Sequence, residues 1–330
     1  MPAAPTLAGA NLLVTGGAGA FGRAFVQGAL RQGASRVVVF SRDEAKQAAL
    51  RATVRDTRVR WFVGDVRDFD RVRWAMRGCD TVVHAAAMKR VDASEENPQE
   101  AVDTNITGSS NVARAAVKEG VRRAVLLSTD KAAAPSTLYG VTKSCAERLW
   151  IQSNAYAAGT STRLSVTRYG NVLGSTGSVI PRWEDEAART GKITLTDPNA
   201  TRFWMTMGAA TRLVTHALAD MTGGETFVPA LRAASVDTLA YALHPGLPRV
   251  VIGLQSGEKL HETLIAEDEG ARVVRRGDHY VILPAHQSWG VLSARGVAVP
   301  AGFALRSDTA PEWSAAQLRA VCGGGVQEAA

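Results

Sequence analysis

Tyr139 and Lys143 stand four residues apart in the run Tyr139-Gly140-Val141-Thr142-Lys143, a spacing that puts both on one face of a helix. From there an ammonium stabilises a phenolate and draws a tyrosine pKa towards the working range of a general base. A second pair lies in Ser128-Thr129-Asp130-Lys131, at the end of the apolar run Ala124-Val125-Leu126-Leu127. That position would set Asp130 and Lys131 at the mouth of the same cleft. One pair equips the chain to move a hydride, the other to move protons at neighbouring carbons. The combination points to chemistry on a sugar.

These residues need a scaffold, and the N-terminal half has the pattern of one. Short β-rich runs alternate with helical ones, as a parallel doubly wound sheet requires. Strands are expected at 11–15, 36–40, 59–63, 81–84, in the run ending at Ser128 and at 164–167. Helices are expected at about 19–31, through Phe69, Val72 and Met76, over 98–119 as one long helix stopped by Gly120, and around Tyr139 and Lys143. After about Gly177 the pattern loosens, with an interrupted helix over 209–221 and short strands at 250–252 and 280–282. The expected architecture is a Rossmann-type doubly wound α/β domain over 1–178, with a smaller C-terminal α/β substrate-binding lobe over 179–330. Some segments of that lobe are expected to return to the main sheet, and 323–330 reads as a frayed tail.

With 330 residues, 46% hydrophobic and 21% charged, the chain has the composition of a soluble enzyme with one large domain and an appended lobe. No apolar run has the length of a bilayer span, and Met1-Pro2-Ala3-Ala4-Pro5 lacks a basic signal region, so no membrane association is expected. Three scattered cysteines, without CxxC or Cys/His ligand spacing, suit a reducing cytoplasm and give no structural metal. None of the six histidines pairs at the spacing of a helical metal site. The net charge of +7 is spread along the chain without a basic block, which suits an anionic small substrate and argues against nucleic acid.

Thr15-Gly16-Gly17-Ala18-Gly19-Ala20-Phe21-Gly22 follows the first strand and opens a helix. Gly16, Gly19 and Gly22 allow a tight turn, close backbone approach to a pyrophosphate, and close packing of helix on strand. The helix start at Ala20 and Phe21 then faces the phosphates with unpaired N–H groups. The second strand ends in Phe40-Ser41-Arg42-Asp43. Ser41, Arg42 and Lys46 suit the 2′-phosphate of NADP, while Asp43 and Glu44 leave NAD open. Asp65, followed by Val66, lies where an adenine edge would rest, or caps the next helix.

With these motifs the chain resembles the extended short-chain dehydrogenase/reductase superfamily and, more narrowly, the inverting UDP-N-acetylglucosamine 4,6-dehydratases of pseudaminic acid pathways. The likeness runs from about residue 11 to 265. It covers Thr15 to Gly22, Ser41-Arg42-Asp43-Glu44, Gly64-Asp65-Val66-Arg67-Asp68 and His84-Ala85-Ala86-Ala87-Met88-Lys89. It continues through Ser128 to Lys131, Leu138-Tyr139-Gly140, Arg168-Tyr169-Gly170-Asn171-Val172, Thr201-Arg202-Phe203-Trp204 and Gly257-Glu258-Lys259-Leu260-His261-Glu262. Three positions depart from the pattern: Thr176 and Gln255 stand where the family has arginines, and Ser256 replaces a proline. Arginine forks clamp diphosphates, so the grip on the substrate's nucleotide differs.

The resemblance implies a cycle in which Tyr139, assisted by Lys143, takes the proton of the carbon 4 hydroxyl while hydride passes to NADP. Thr129 would bond the carbon 4 oxygen, Lys131 would remove the carbon 5 proton, and Asp130 would help water leave carbon 6. The hydride would return to carbon 6. Retaining hexose dehydratases carry an acidic residue where this chain has Lys131. The resemblance also places Ala85, Ala86 and Lys143 against the cofactor, and Lys89, Asn171, Ser178, Arg202 and Lys259 against the substrate. Asn105 would brace the active-site backbone. A homo-oligomer is the implied assembly. A nucleotide-sugar epimerase, a dehydratase for another nucleotide-linked sugar, and a non-catalytic nucleotide-sensing scaffold remain alternatives.

Overall fold

The computed structural model describes residues 6–175, 177–286, 289 and 295–325. The N-terminal half runs β1 (Asn11–Thr15), α1 (Ala20–Arg31), β2 (Arg36–Ser41), α2 (Glu44–Thr53), β3 (Val59–Val63), α3 (Phe69–Met76), β4 (Thr81–His84), α4 (Val91–Glu96), α5 (Pro98–Val102), α6 (Gly108–Lys118), β5 (Arg123–Leu127), α7 (Leu138–Tyr156) and β6 (Arg163–Thr167). The remainder adds β7 (Asn171–Val172), α8 (Val179–Thr190), β8 (Ile193–Leu195), β9 (Thr201–Met205), α9 (Met207–Asp220), β10 (Thr226–Pro229), β11 (Ala233–Ser235) and α10 (Val236–Leu243). It ends with β12 (Arg249–Val251), β13 (Thr263–Ile265), β14 (Val273–Arg276), β15 (His279–Ile282), β16 (Val297–Ala298), β17 (Leu305–Arg306) and α11 (Ala315–Gly325).

Strands β3-β2-β1-β4-β5-β6 are parallel neighbours, and β10 continues the parallel set beside β6. Antiparallel β15, β14 and β16 then close that edge. These strands, all from beyond residue 178, extend the main sheet. The order reverses between β1 and β4, and that switch point opens a crevice at the strands' carboxyl ends.

Side-chain alternation along β1 sends Leu12 and Val14 to one face of the sheet and Leu13 to the other. On the first face they meet Phe25 and Val26 of α1 and Leu213 and Val214 of α9. On the second, Leu13 joins Val72 and Met76 of α3, Val112 of α6 and Trp150 of α7. Burial on both faces explains why these strands read as near-continuous apolar runs. A separate core gathers Trp183, Ile193, Leu195, Trp204, Leu239 and Leu318.

Two expected elements differ. The single helix over 98–119 is broken by a π-helical turn at Asp103–Thr107. The wider turn carries Asn105, fully buried, whose amide accepts from Met88 N at 2.8 Å and donates to Met88 O and Thr142 Oγ1. Such turns accompany functional geometry more often than regular helix does. Conversely, the helix expected to be interrupted over 209–221 is continuous, and the Thr206 side chain caps it by accepting from Ala209 N. At the C-terminus Gly323–Gly325 belong to α11, while 326–330 of the expected frayed tail lie outside the described residues.

Arg168, just after β6 and only 4% exposed, ties the two halves together. Its guanidinium meets Glu147 of α7 through Nε and Nη2 at 3.1 and 2.6 Å, and Glu269 through Nη1 and Nη2 at 2.7 and 2.9 Å. Nη1 also donates to Leu264 O of β13 at 3.0 Å. All five donors are thus used. Removing one member of such a buried network strands the others' charges. Arg168→Met should lower folding stability by about 3–5 kcal/mol, read as a shifted urea midpoint. An unchanged midpoint would show that the clamp contributes nothing.

Candidate active site

The turn after β1 is built for close backbone approach. Gly16 has φ +65°, and a Cβ there would sit 2.8 Å from Ala86 N. A Cβ on Gly22 would lie 2.5 Å from Gly16 O. Gly19 is the N-cap of α1 and supplies no side-chain cap, and the first helical bond runs from Arg23 N to Gly19 O. The helix therefore opens onto the cleft with its leading N–H groups uncapped by any side chain, the arrangement a pyrophosphate needs. Ala85 and Ala86 line the cleft at the tip of β4. Beneath them His84 is bonded to Thr15 Oγ1 at 2.6 Å and Ser109 Oγ at 3.0 Å. Burial depresses its pKa to about 3, so it stays neutral. These residues fit a nicotinamide dinucleotide.

At the tip of β2, Ser41 Oγ accepts from Gln47 Nε2. The exposed Arg42 lies 3.7 Å from Asp65 and 3.2 Å from Glu100. Asp43 caps α2 by accepting from Lys46 N, and its carboxylate pairs with Lys46 Nζ at 2.6 Å. Asp65 does not cap α3; that role belongs to Asp68, while Asp65 holds Arg67 N and its guanidinium. Val66, buried beside it, also lines the cleft.

Helix α7 begins at the Thr137 cap and brings Tyr139 and Lys143, both buried, to one face. Lys143 Nζ donates to Leu127 O at 2.7 Å, and burial brings its pKa down to about 8. Tyr139 departs from expectation. Burial pushes it up to about 12, against the pull of the Lys131 charge and a hydrogen bond with Thr129. The cation acting on the phenol of the protein alone is Lys131, and desolvation outweighs it.

Thr129 and a short turn at Asp130–Ala132 follow β5. Thr129 Oγ1 donates to Asp130 Oδ1 at 3.0 Å. Lys131 Nζ stands 3.1 Å from Asp130 Oδ1 and 3.3 Å from Glu262 Oε1. Both carboxylates are almost wholly buried, and Asp130 Oδ2 and Glu262 Oε2 have no hydrogen-bond partner. Burial raises the Asp130 pKa, Lys131 opposes that rise, and Glu262 adds to it. Burial works against the Lys131 ammonium, but Asp130 and Glu262 overcome it and raise its pKa. Asp130, Lys131, Glu262 and Tyr139 line one cleft together with the glycine turn.

Of the residues expected at the substrate, Lys89, Asn171, Ser178 and Arg202 line this cleft. Ser178 Oγ is buried without a partner. Arg202 is less free than a phosphate clamp would be: Nη2 pairs with Glu258 Oε1 at 2.7 Å and Nη1 donates to Thr201 O and Leu260 O. Lys259 Nζ donates to Ala133 O at 3.1 Å, behind the Asp130 turn. Gln255 and Ser256 line the cleft, and Thr176 lies outside the described residues. Glu262 escaped the sequence reading as a site residue although its motif was noted, because nothing local marks a carboxylate that meets a lysine 131 positions away. Ser128 and Thr104, whose buried hydroxyls have no partner and which line the cleft, were missed for the same reason. His216, Asp220 and His279 gather within 4.8 Å, outside the cleft lining, but Arg276 Nη1 already holds Asp220 at 2.5 Å.

Residues 12–284 match the model of a family described as polysaccharide biosynthesis protein. The chain belongs to that family. It is 39% identical over 316 residues to the inverting UDP-N-acetylglucosamine 4,6-dehydratase of Campylobacter jejuni, covering 93% of this chain and 95% of the relative. It is also 38% identical over 280 residues to a UDP-glucose 4-epimerase of Rickettsia canadensis, covering 82% of each. Among solved structures, Pen from Bacillus thuringiensis superposes with TM-score 0.88 at 36% identity, over 96% of this chain and 99% of that one. DesIV, a dTDP-glucose 4,6-dehydratase from Streptomyces venezuelae with NAD and TYD bound, superposes with TM-score 0.67 at 26% identity, over 76% and 86%. The Rossmann-type fold is thereby shared with dehydratases. Among the described residues, no helix is long and apolar enough to cross a membrane.

The glycine cradle makes a direct prediction. Gly16→Ala adds a methyl against Ala86 N at a positive φ, and should weaken binding of nicotinamide dinucleotide at least about tenfold, a loss near 1.4 kcal/mol, by titration calorimetry. Equal affinity would place the dinucleotide elsewhere.

Proposed function

We propose that this protein is a nucleotide-sugar 4,6-dehydratase acting on UDP-N-acetylglucosamine, with inversion at carbon 5. The observation that carries this reading is the buried Asp130–Lys131–Glu262 cluster in the same cleft as Tyr139. A bound nicotinamide supplies the acceptor for the carbon 4 hydride and its donor to carbon 6. Tyr139 takes the carbon 4 hydroxyl proton as phenolate, a form that burial disfavours in the protein alone and that the positive charge of an oxidised nicotinamide would favour, and Thr129, bonded to it, orients that oxygen. The ketone so formed acidifies the carbon 5 hydrogen, and Lys131 removes it as the free amine, after its ammonium has given up one proton. Asp130, whose burial favours the protonated form, gives its proton to the departing carbon 6 hydroxyl. Lys143 holds the cofactor side of the cleft against Leu127 O. Lys89, Asn171 and Ser178, which line the cleft, orient the sugar and its diphosphate, while Arg202 and Lys259, held by Glu258 and by Ala133 O, shape the cleft wall.

NADP is the proposed cofactor. The Asp43 carboxylate, which could have taken a ribose diol, is committed to capping α2 and to Lys46. Arg42 and Lys46, though each is paired with carboxylates in the protein alone, are exposed cations at the tip of β2 that a 2′-phosphate would draw on. A cytoplasmic homo-oligomer is proposed on the family likeness.

The epimerase reading has a named relative in its favour. Returning hydride to carbon 4, however, gives no role to an acid and a base at carbons 6 and 5. Incubation with UDP-N-acetylglucosamine in deuterated water, followed by mass spectrometry and NMR, separates the two. Loss of one water with label at carbon 5 is expected; an isomer of unchanged mass would establish the epimerase. Tyr139→Phe and Lys131→Ala should each abolish turnover with cofactor binding retained, and full activity in either would refute these roles.

A further inference from the structure

Away from the cleft, the last turn of α9 meets the antiparallel hairpin β14–β15 that extends the main sheet. Arg276 Nη1 of β14 donates to Asp220 Oδ2 at 2.5 Å, and the His216 and His279 rings pack edge to face with centroids 4.5 Å apart. His216 and Asp220 stand four residues apart on α9 and so share one face. Strand β15 brings His279 to that face. One ligand atom from each of the three lies within 4.8 Å of the other two. None of them lines the cleft described above.

The donor atoms are set up unequally. His279 is only 5% exposed; its Nδ1 stands 3.2 Å from Asp278 Oδ1, and its Nε2 is buried with no hydrogen-bond partner. A carboxylate on one ring nitrogen holds the proton there and leaves a lone pair on the other, as in metal-bound imidazoles. A buried nitrogen left without any partner is otherwise destabilising. Among the described residues no hydrogen bond engages the half-buried His216 ring, whose neighbour is His279 itself. Arg276 is bonded to Asp220 through Oδ2, which leaves Oδ1 for a second partner. Carboxylates that bind a metal through one oxygen are themselves hydrogen-bonded by neighbouring groups. Two carboxylates, Asp220 and Asp278, outnumber the one guanidinium in direct contact with the cluster.

We propose that His216, Asp220 and His279 form a zinc-class divalent-cation site that ties α9 to the β14–β15 hairpin. Two imidazoles and one carboxylate select zinc-like ions over magnesium or calcium, which prefer oxygen alone. Water completes the tetrahedron on the side where His216 and Asp220 reach solvent. Bonds of about 2.1 Å set tetrahedral ligand atoms about 3.4 Å apart. The half-buried His216 and Asp220 side chains therefore close inward on their shared face, while His279 stays fixed in the core beside Phe227. Helix α9 also packs on α1 and on β5, so the ion links that layer to the added edge of the sheet. Because the unfolded chain does not hold the three ligands together, binding stabilises the native state.

The test uses the full chain without a polyhistidine tag, stripped by chelator and titrated with Co²⁺ and then Zn²⁺. One Co²⁺ per chain should bind with the visible absorption of a tetrahedral centre, and Zn²⁺ should displace it and raise the melting temperature. His216→Ala and Asp220→Asn should each weaken Zn²⁺ binding at least about tenfold and remove the rise in melting temperature. The asparagine still accepts from Arg276, so its loss of binding reports the ion and not the ion pair. Should His216→Ala fail to fold without metal, His216→Gln takes its place. No cobalt absorption in the wild type, or wild-type Zn²⁺ affinity in either folded variant, would overturn the proposal. Turnover is not the readout, so the result stands apart from the dehydratase reading.

Discussion

The Arg168 clamp is the constraint on which the site's geometry rests. Helix α7 carries Tyr139 and Lys143, and the segment before β13 carries Glu262. Nothing in local chain geometry relates the two. Arg168 does so by spending all its donors on Glu147 of α7, on Leu264 O of β13 and on Glu269 beyond it. Isolated buried ion pairs contribute little net stability. A fully satisfied guanidinium nevertheless fixes direction, because its donors lie in one plane and cannot be served from a shifted register.

Burial then does the electrostatic tuning. It lifts the Tyr139 phenol to about 12 and brings the Lys143 ammonium down to about 8, in each case disfavouring the charged form. Around Lys131 the balance reverses, because two carboxylates within 3.3 Å overcome the same desolvation. The cleft therefore holds two lysines in opposite states of readiness. Lys143 gives up its proton more readily than an ordinary lysine and is bonded to a carbonyl, whereas Lys131 is held more firmly cationic. In the protein alone the Tyr139 phenol is further from ionisation than a tyrosine and lysine on one helix face suggest, since Lys143 turns to Leu127 O.

Much of the framework was readable from pattern alone. The strands at 11–15 and 81–84 were expected at their observed bounds, because buried parallel strands are short apolar runs bounded by turn residues, and so was the half-exposed edge strand at 59–63. The glycine turn was equally legible, since close backbone approach excludes any side chain at Gly16 and Gly22. Where the reading failed, tertiary contacts had overridden local preference. The helix over 98–119 looks regular in sequence, but Asn105 must reach Met88 and Thr142, and the backbone widens into a π turn there. Arg202 reads as a free cation until Glu258 is seen at 2.7 Å.

Sequence by itself determined the alternation of strands and helices, the cradle for a dinucleotide, and the placing of Tyr139 with Lys143 and of Asp130 with Lys131. Those features depend on residues within a few positions of one another, where backbone periodicity converts spacing into direction. Only the tertiary structure decided that Glu262 is the second buried carboxylate beside Lys131, that Arg202 is already paired with Glu258, and that Arg168 joins the halves. Each of those pairings closes a loop of more than fifty residues, except Arg168 with Glu147, which spans 21. No local periodicity encodes such contacts; they follow from how the packed sheet and the C-terminal segments meet.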